Sequence, residues 1–469
     1  MALTETVVLC PGCGYSNDFG ASYCRECRTP LDRGWRVSPE EARDAEDRRR
    51  REARRRRIIR WAIVAAVVLV ATAGATAYAV IGPGRELDPP TTNIGVISAP
   101  GDWPMYQGDP THSAYIPENQ PTPTGEVVWQ FRTNARLYAV PSVVQDTLYL
   151  SAGDKRIVAL DAGTGEMKWE YPVTGPVNSS PAIAGNLVFV GLRDGRLLAL
   201  DKDTGTLRWE FQTGDLVYGS PAVHKGVVYI GSGDHAVYAL DALTGEVRWS
   251  RKTGGRVVGS PAVTDDIVAV ISQNQRIYLY DTKTGGFRLD YLTRDARGAP
   301  TLDDEHAYVG NSRSMVYAID LKQKQLPFEK TARFIRTQLF FWGFWNTLPV
   351  IKGFEWAFRS PGEVFLGTPA LDGEKVYVTS ESGNVFALNK ENGERVWKFK
   401  ADGEVRGDPS LAGDTLHIGD TLGNVYGLDA DTGAEKWRFE LNTRISNGVV
   451  VANDTLFVTA ENGVLYAVR

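Results

Sequence analysis

The sequence predicts an all-β chain: an eight-bladed β-propeller of four-stranded antiparallel blades, preceded by a small zinc ribbon and one transmembrane helix. Three observations predict it. Tryptophan recurs at 129, 169, 209, 249, 356, 397 and 437, and Leu289 holds the one missing position. The intervals are 40 or 41 residues, except for one of 67 between positions 289 and 356. Prolines at 141, 181, 221, 261, 300, 369 and 409 keep the same time, and four cysteines followed by a long apolar run stand ahead of the first repeat.

Taken in order, the chain opens with CPGC at 10–13 and CREC at 24–27. Four thiolates on two turns suit tetrahedral zinc, and the metal supplies folding energy that so short a segment cannot draw from a core. Cys10, Cys13, Cys24 and Cys27 are therefore the expected ligands of a structural Zn²⁺ within a ribbon over 1–34. Two disulfides are the alternative, disfavoured in a reducing compartment. The pattern resembles the short zinc ribbons at bacterial N-termini, with Arg28 standing where that pattern has its last glycine.

Residues 35–60 form a charged juxtamembrane segment, with nine arginines against one glutamate in 48–60. Residues 61–81 carry no charge, and a helix of that length spans about 30 Å, the thickness of a bilayer core. The excess of arginine on its leading side predicts a single-pass protein of a bacterial plasma membrane, N-terminus cytoplasmic and propeller extracytoplasmic. A cleaved signal peptide is the rival, with Ala75 and Ala77 resembling a cleavage site. Residues 82–101, with four prolines, read as a linker.

The propeller is expected over 102–469. Each 40-residue unit divides into a strand opening at the proline, a VVYIGS-like strand, an AVYAL-like strand, a turn of the form Asp-x-x-Thr-Gly, and a fourth strand ending at the tryptophan. Such a unit repeated about an axis is a propeller blade. The tryptophans are expected between blades. The last three strands, within 442–469, lack a fourth, which GEVVWQF at 125–131 supplies, closing the ring.

Net charge is −5, with 14 arginines and 10 acidic residues in 1–60, so the remainder stands near −9. That acidity disfavours nucleic acid as a partner of the propeller. The 67-residue interval holds an insertion, about 328–354. It places Arg333 and Arg336 beside Phe340, Phe341, Trp342, Phe344 and Trp345, a composition that suits a partner or a lipid headgroup surface. Folding back beneath the propeller is the alternative.

The repeated ALDAxTGxxxW phrase, with the lead-in GDWPMYQGDPTHSAY at 101–115, resembles the pyrroloquinoline-quinone (PQQ) type of propeller repeat. One branch of that family consists of quinone-dependent dehydrogenases. Another is non-catalytic and includes the lipoprotein propeller of the outer-membrane assembly machinery. The resemblance implies a vicinal cysteine pair and a calcium site in the enzymes, and no cysteine follows position 27 here. The expected function is a membrane-anchored, non-catalytic scaffold for envelope or membrane proteins, with PQQ unlikely as a cofactor. A transmembrane sensor with a ligand-binding propeller is the second reading, and a PQQ-dependent dehydrogenase the third.

Overall fold

A computed structural model of the protein describes most of residues 7–62, residues 65 and 94, and residues 99–469 except 119, 327 and 350. It divides into two units, Met1–Gly82 and Pro83–Arg469.

In the first unit the strands Val7–Leu9, Ser16–Asn17 and Trp35–Val37 form a small antiparallel sheet. The expected transmembrane run, 61–81, lies almost wholly outside the described residues. Among those described, no helix is long and apolar enough to cross a membrane. This overturns the single-pass plasma-membrane assignment, with its cytoplasmic N-terminus and extracytoplasmic propeller. A span needs about 20 consecutive apolar residues in helix, and the helical residues described between 40 and 65 are instead rich in arginine.

The second unit is all-β apart from one helix. Its described residues form eight four-stranded antiparallel sheets, one of them extended by the short strand Tyr115–Ile116. Seven of the eight have their four strands in sequence order. The one at Ala222–Lys252 is representative: Ala222–His224, Val227–Gly231, Ala236–Asp241 and Val247–Lys252 pair in succession. The two central strands are buried on both faces, while the fourth alternates toward solvent. As the sequence predicts, the sheet of Ile445–Ala452, Thr455–Ala460 and Val464–Val468 takes Val127–Arg132 as its fourth strand. The two ends of the propeller thus share one sheet, which leaves no open edge between them.

Both sequence markers join neighbouring sheets. The indole N–H of Trp169 donates to the Lys202 carbonyl at 2.8 Å, and Trp129, Trp209, Trp249, Trp356 and Trp397 make the same bond one repeat on. The ring lies flat on the glycine of the next turn: a Cβ on Gly205 (φ 70°) would come within 2.6 Å of Trp169. The residue before each proline makes the inner link. The Ser180 N–H donates to Ser220 Oγ at 2.9 Å and the Ser220 N–H to Ser260 Oγ at 2.9 Å. The turn aspartates accept from the backbone N–H groups that follow, Asp161 from Gly163 and Thr164 at 3.0 Å each.

The lead-in runs past the inner strands. Trp103 pairs with Val143, and the carbonyls of Pro104, Pro110, Thr111, Ser113 and Ala114 accept from the N–H groups of Ile183, Val263, Leu302, Leu371 and Leu411. One short segment thereby joins the first strands of six different sheets.

The departure from an all-β propeller lies in the insertion, where Glu329–Phe341 is an α-helix. It replaces the turn after Asp320, between the third and fourth strands of its sheet. The insertion stands outside the repeat, and its run EKTARFIRTQLFF closes its hydrogen bonds locally as a helix.

Candidate functional site

Three places bring chemistry-bearing side chains together. In the first unit, the ligand atoms of Cys10, Cys13, Cys24 and Cys27 all lie within 4.8 Å of one another. Cys10 and Cys27 sulfurs are 3.5 Å apart, and those of Cys13 and Cys24 3.6 Å. A tetrahedral metal with bonds of about 2.3 Å sets its sulfurs about 3.8 Å apart, so four close cysteines could hold a metal ion. Among the described residues this is the one group of three or more metal-ligating side chains gathered so closely.

The second place is the mouth of the central channel, a cavity of about 250 Å³ where the residues before each proline marker converge. Tyr138, Asn178, Tyr218, Arg297, Arg406 and Asn447 stand around it. Arg297 and Arg406 each have a carboxylate of their own, Asp295 at 3.5 Å and Glu404 at 2.8 Å. Beneath them lies Asp408. Burial raises its pKa, and both of its oxygens are engaged, by the Tyr106 hydroxyl at 2.6 Å and the Thr368 N–H at 2.7 Å. Thr368 and Asp408 occupy the same repeat position as Ser180 and Ser220, so this carboxyl links two sheets. A quinone with its calcium needs several free oxygen ligands. The single carboxyl lining this mouth is fully engaged, and Asn178 Oδ1 is the one buried side-chain oxygen there without a hydrogen-bond partner, too few ligands for that pair; no cysteine follows position 27 either.

The third place is the insertion, where the structure sets the predicted aromatic residues at and just beyond the helix end. No helix residue is buried. Phe341 is 71% exposed, Trp342 67%, Phe344 76% and Trp345 45%, with Phe340 half-buried against Phe341. The Arg336 guanidinium lies 5.7 Å from the Trp345 ring centroid, a cation–π arrangement. Arg333, one turn earlier, faces the base of the insertion. That base is tied down by polar bonds: Lys330 to Asp290 at 2.7 Å and Lys352 to Glu329 at 3.0 Å. The reading of the sequence found the aromatic cluster. It missed the helix and the cavity beneath it, although Leu289 in a tryptophan position was a visible signal.

A propeller of this repeat falls into a defined class. The family described as outer membrane protein assembly factor BamB matches residues 119–326, 354–422 and 421–469, and the chain belongs to this family. The match breaks off and resumes at the edges of the insertion. No curated protein matches the chain. Among solved structures, BamB from Moraxella catarrhalis is 21% identical with a TM-score of 0.58, covering 73% of this chain and 97% of its own. A quinohemoprotein alcohol dehydrogenase from Comamonas testosteroni is 15% identical with a TM-score of 0.61, over 79% of this chain and 81% of its own. A europium-containing methanol dehydrogenase is 17% identical with a TM-score of 0.60, over 77% and 89%. At such identities these likenesses establish the fold, which enzymes and the assembly factor share.

Proposed function

We propose that the chain is a non-catalytic, eight-bladed propeller scaffold that binds other proteins during envelope protein assembly. The exposed aromatic insertion carries this reading. It interrupts the family match and contributes nothing to the buried core between sheets. Phe340, Phe341, Trp342, Phe344 and Trp345, with Arg333 and Arg336, are the contact residues of the platform. Aromatic and arginine side chains dominate the binding energy of protein interfaces, and an exposed apolar patch of this kind marks such a surface. The four cysteines hold a structural Zn²⁺ that folds the first unit. The domain limits proposed are those of the sequence: ribbon over 1–34, charged segment over 35–60, linker over 82–101, propeller over 102–469. The sensing reading depended on a membrane span and goes with it.

Replacing 322–352 by a two-residue turn of the ordinary repeat type tests the platform. Co-purification of envelope proteins with the full chain, and its loss on replacement, is the expected result. Unchanged co-purification removes the insertion from the interface. Alcohol oxidation by the purified chain with added quinone and Ca²⁺ would overturn the non-catalytic assignment.

A further inference from the structure

Two irregularities of the repeat meet in space. At six junctions a tryptophan fills the gap between sheets and lies on the glycine of the next turn. At the remaining one of this type, Leu289 stands in its place and approaches Gly353, which occupies the glycine's position. Leucine is smaller than indole by most of a ring, and the turn that would close over it is the one replaced by the insertion. The result is a cavity of about 460 Å³ between the Phe287–Leu292 strand and the insertion. That volume is in the range of small-molecule sites.

Its walls are of two kinds. Leu289, Tyr291, Met315, Tyr317 and Ile351 supply an apolar side. The rim supplies charge, five cations against two carboxylates. Asp290 is engaged through one oxygen by Arg276 and Lys330, and Glu329 by Lys352. Arg294 and Arg333 also line the cavity, and among the described residues neither forms an ion pair. The matching cross-strand pairs in the first two sheets, Arg156–Glu170 and Arg196–Glu210, leave their carboxylates about half exposed, at 47% and 50%. Asp290 is only 7% exposed, and its Oδ1 is buried with no hydrogen-bond partner. An orphaned buried acceptor is costly unless something else completes its bonding, while Arg294 is exposed and Arg333 partly so, leaving both guanidinium groups open to a ligand.

We propose that this cavity binds a small anion carried on an apolar body, an organic acid or a phosphate monoester. The anionic group lies between the Arg294 and Arg333 guanidinium groups, which are suited to bidentate pairing with carboxylate or phosphate. The apolar body takes the space of the missing indole against Leu289 and Tyr317. A donor on the ligand, or a water it retains, completes Asp290 Oδ1. This site is separate from the aromatic platform and does not depend on what that platform binds.

Titration calorimetry on the full chain, with phenyl phosphate and benzoate as probes and phenol and inorganic phosphate as controls, tests it. Saturable binding of one probe anion per chain is expected, stronger than that of either control. The double substitution Arg294→Gln and Arg333→Gln keeps the shape and removes the charge, and should weaken binding by about tenfold or more. Leu289→Trp restores the repeat residue, fills the cavity, and should abolish binding with the melting temperature held or raised. No saturable binding, equal binding of phenol, or affinity unchanged in either variant overturns the proposal. Should Leu289→Trp fail to fold, the double glutamine variant decides alone.

Discussion

At the scale of the residue, the repeated tryptophan does three things at once: it fills the gap between sheets, donates its N–H to a carbonyl of the next sheet, and forbids any side chain on the opposing turn. Trp169→Ala removes a nearly buried indole and should cost about 3–5 kcal/mol in denaturant unfolding, as for other large-to-small core changes. Two buried histidines set a pH limit. Burial lowers both His112 and His417 to about 4. His112 Nδ1–H donates to the Pro300 carbonyl at 2.9 Å, which fixes Nδ1 as the protonated nitrogen of a neutral ring. Because the unfolded chain protonates first, near pH 6.5, their contribution is whole above that pH and is lost as pH falls from 6.5 toward 4, by up to roughly 3 kcal/mol each. Melting temperature against pH should fall less steeply over that window in His112→Gln than in the parent chain, relative to each at pH 7. The tryptophan packing was legible because a 40-residue period left a packing role as the simplest account. The pairing of Leu289 with Gly353 was not, because the two residues belong to neighbouring sheets and only the fold brings them together.

At the scale of the element, three segments act as units. The lead-in is a strap across the inner strands: without residues 102–116 the N–H groups of Ile183, Val263, Leu302, Leu371 and Leu411 lose their partners. Each orphaned buried donor costs about 1–3 kcal/mol, so a chain lacking the strap should lose the cooperative melting transition of the intact chain. The sequence marked this run by its resemblance to a known lead-in, but its backbone hydrogen bonds reach residues up to 297 positions away (Ala114 to Leu411) and could not be read from local pattern. The cysteine segment is a unit that the proposed Zn²⁺ would hold together. Chelation should release the ion and unfold residues 7–37 while the propeller's β circular dichroism and melting temperature stay fixed. Loss of the propeller transition on chelation would contradict that separation. The gathering of its four cysteines was legible, because Cys-x-x-Cys spacing is a local property. The insertion helix was not read, because the segment stands outside the repeat and its aromatic and arginine composition was read for a surface rather than for a helical period.

At the scale of the whole molecule, one architecture serves two chemistries in the structures it resembles, and the fold alone does not choose between them. The choice here rests on what the channel mouth and the insertion contain. The strand count and the borrowed closing strand were foreseen, since seven units in phase and a short last one leave a single way to close the ring. The expected membrane span lies almost wholly outside the described residues, among which no helix is long and apolar enough to cross a membrane. The most direct measurement places a photo-crosslinking phenylalanine analogue at position 344 of the full chain, in cells that make it, and identifies the adducts by mass. A single envelope protein captured at 344, and lost when Trp342 and Trp345 are changed to serine, is the result the account predicts. Absence of any adduct at 344, or the same adducts with the two tryptophans removed, would contradict it.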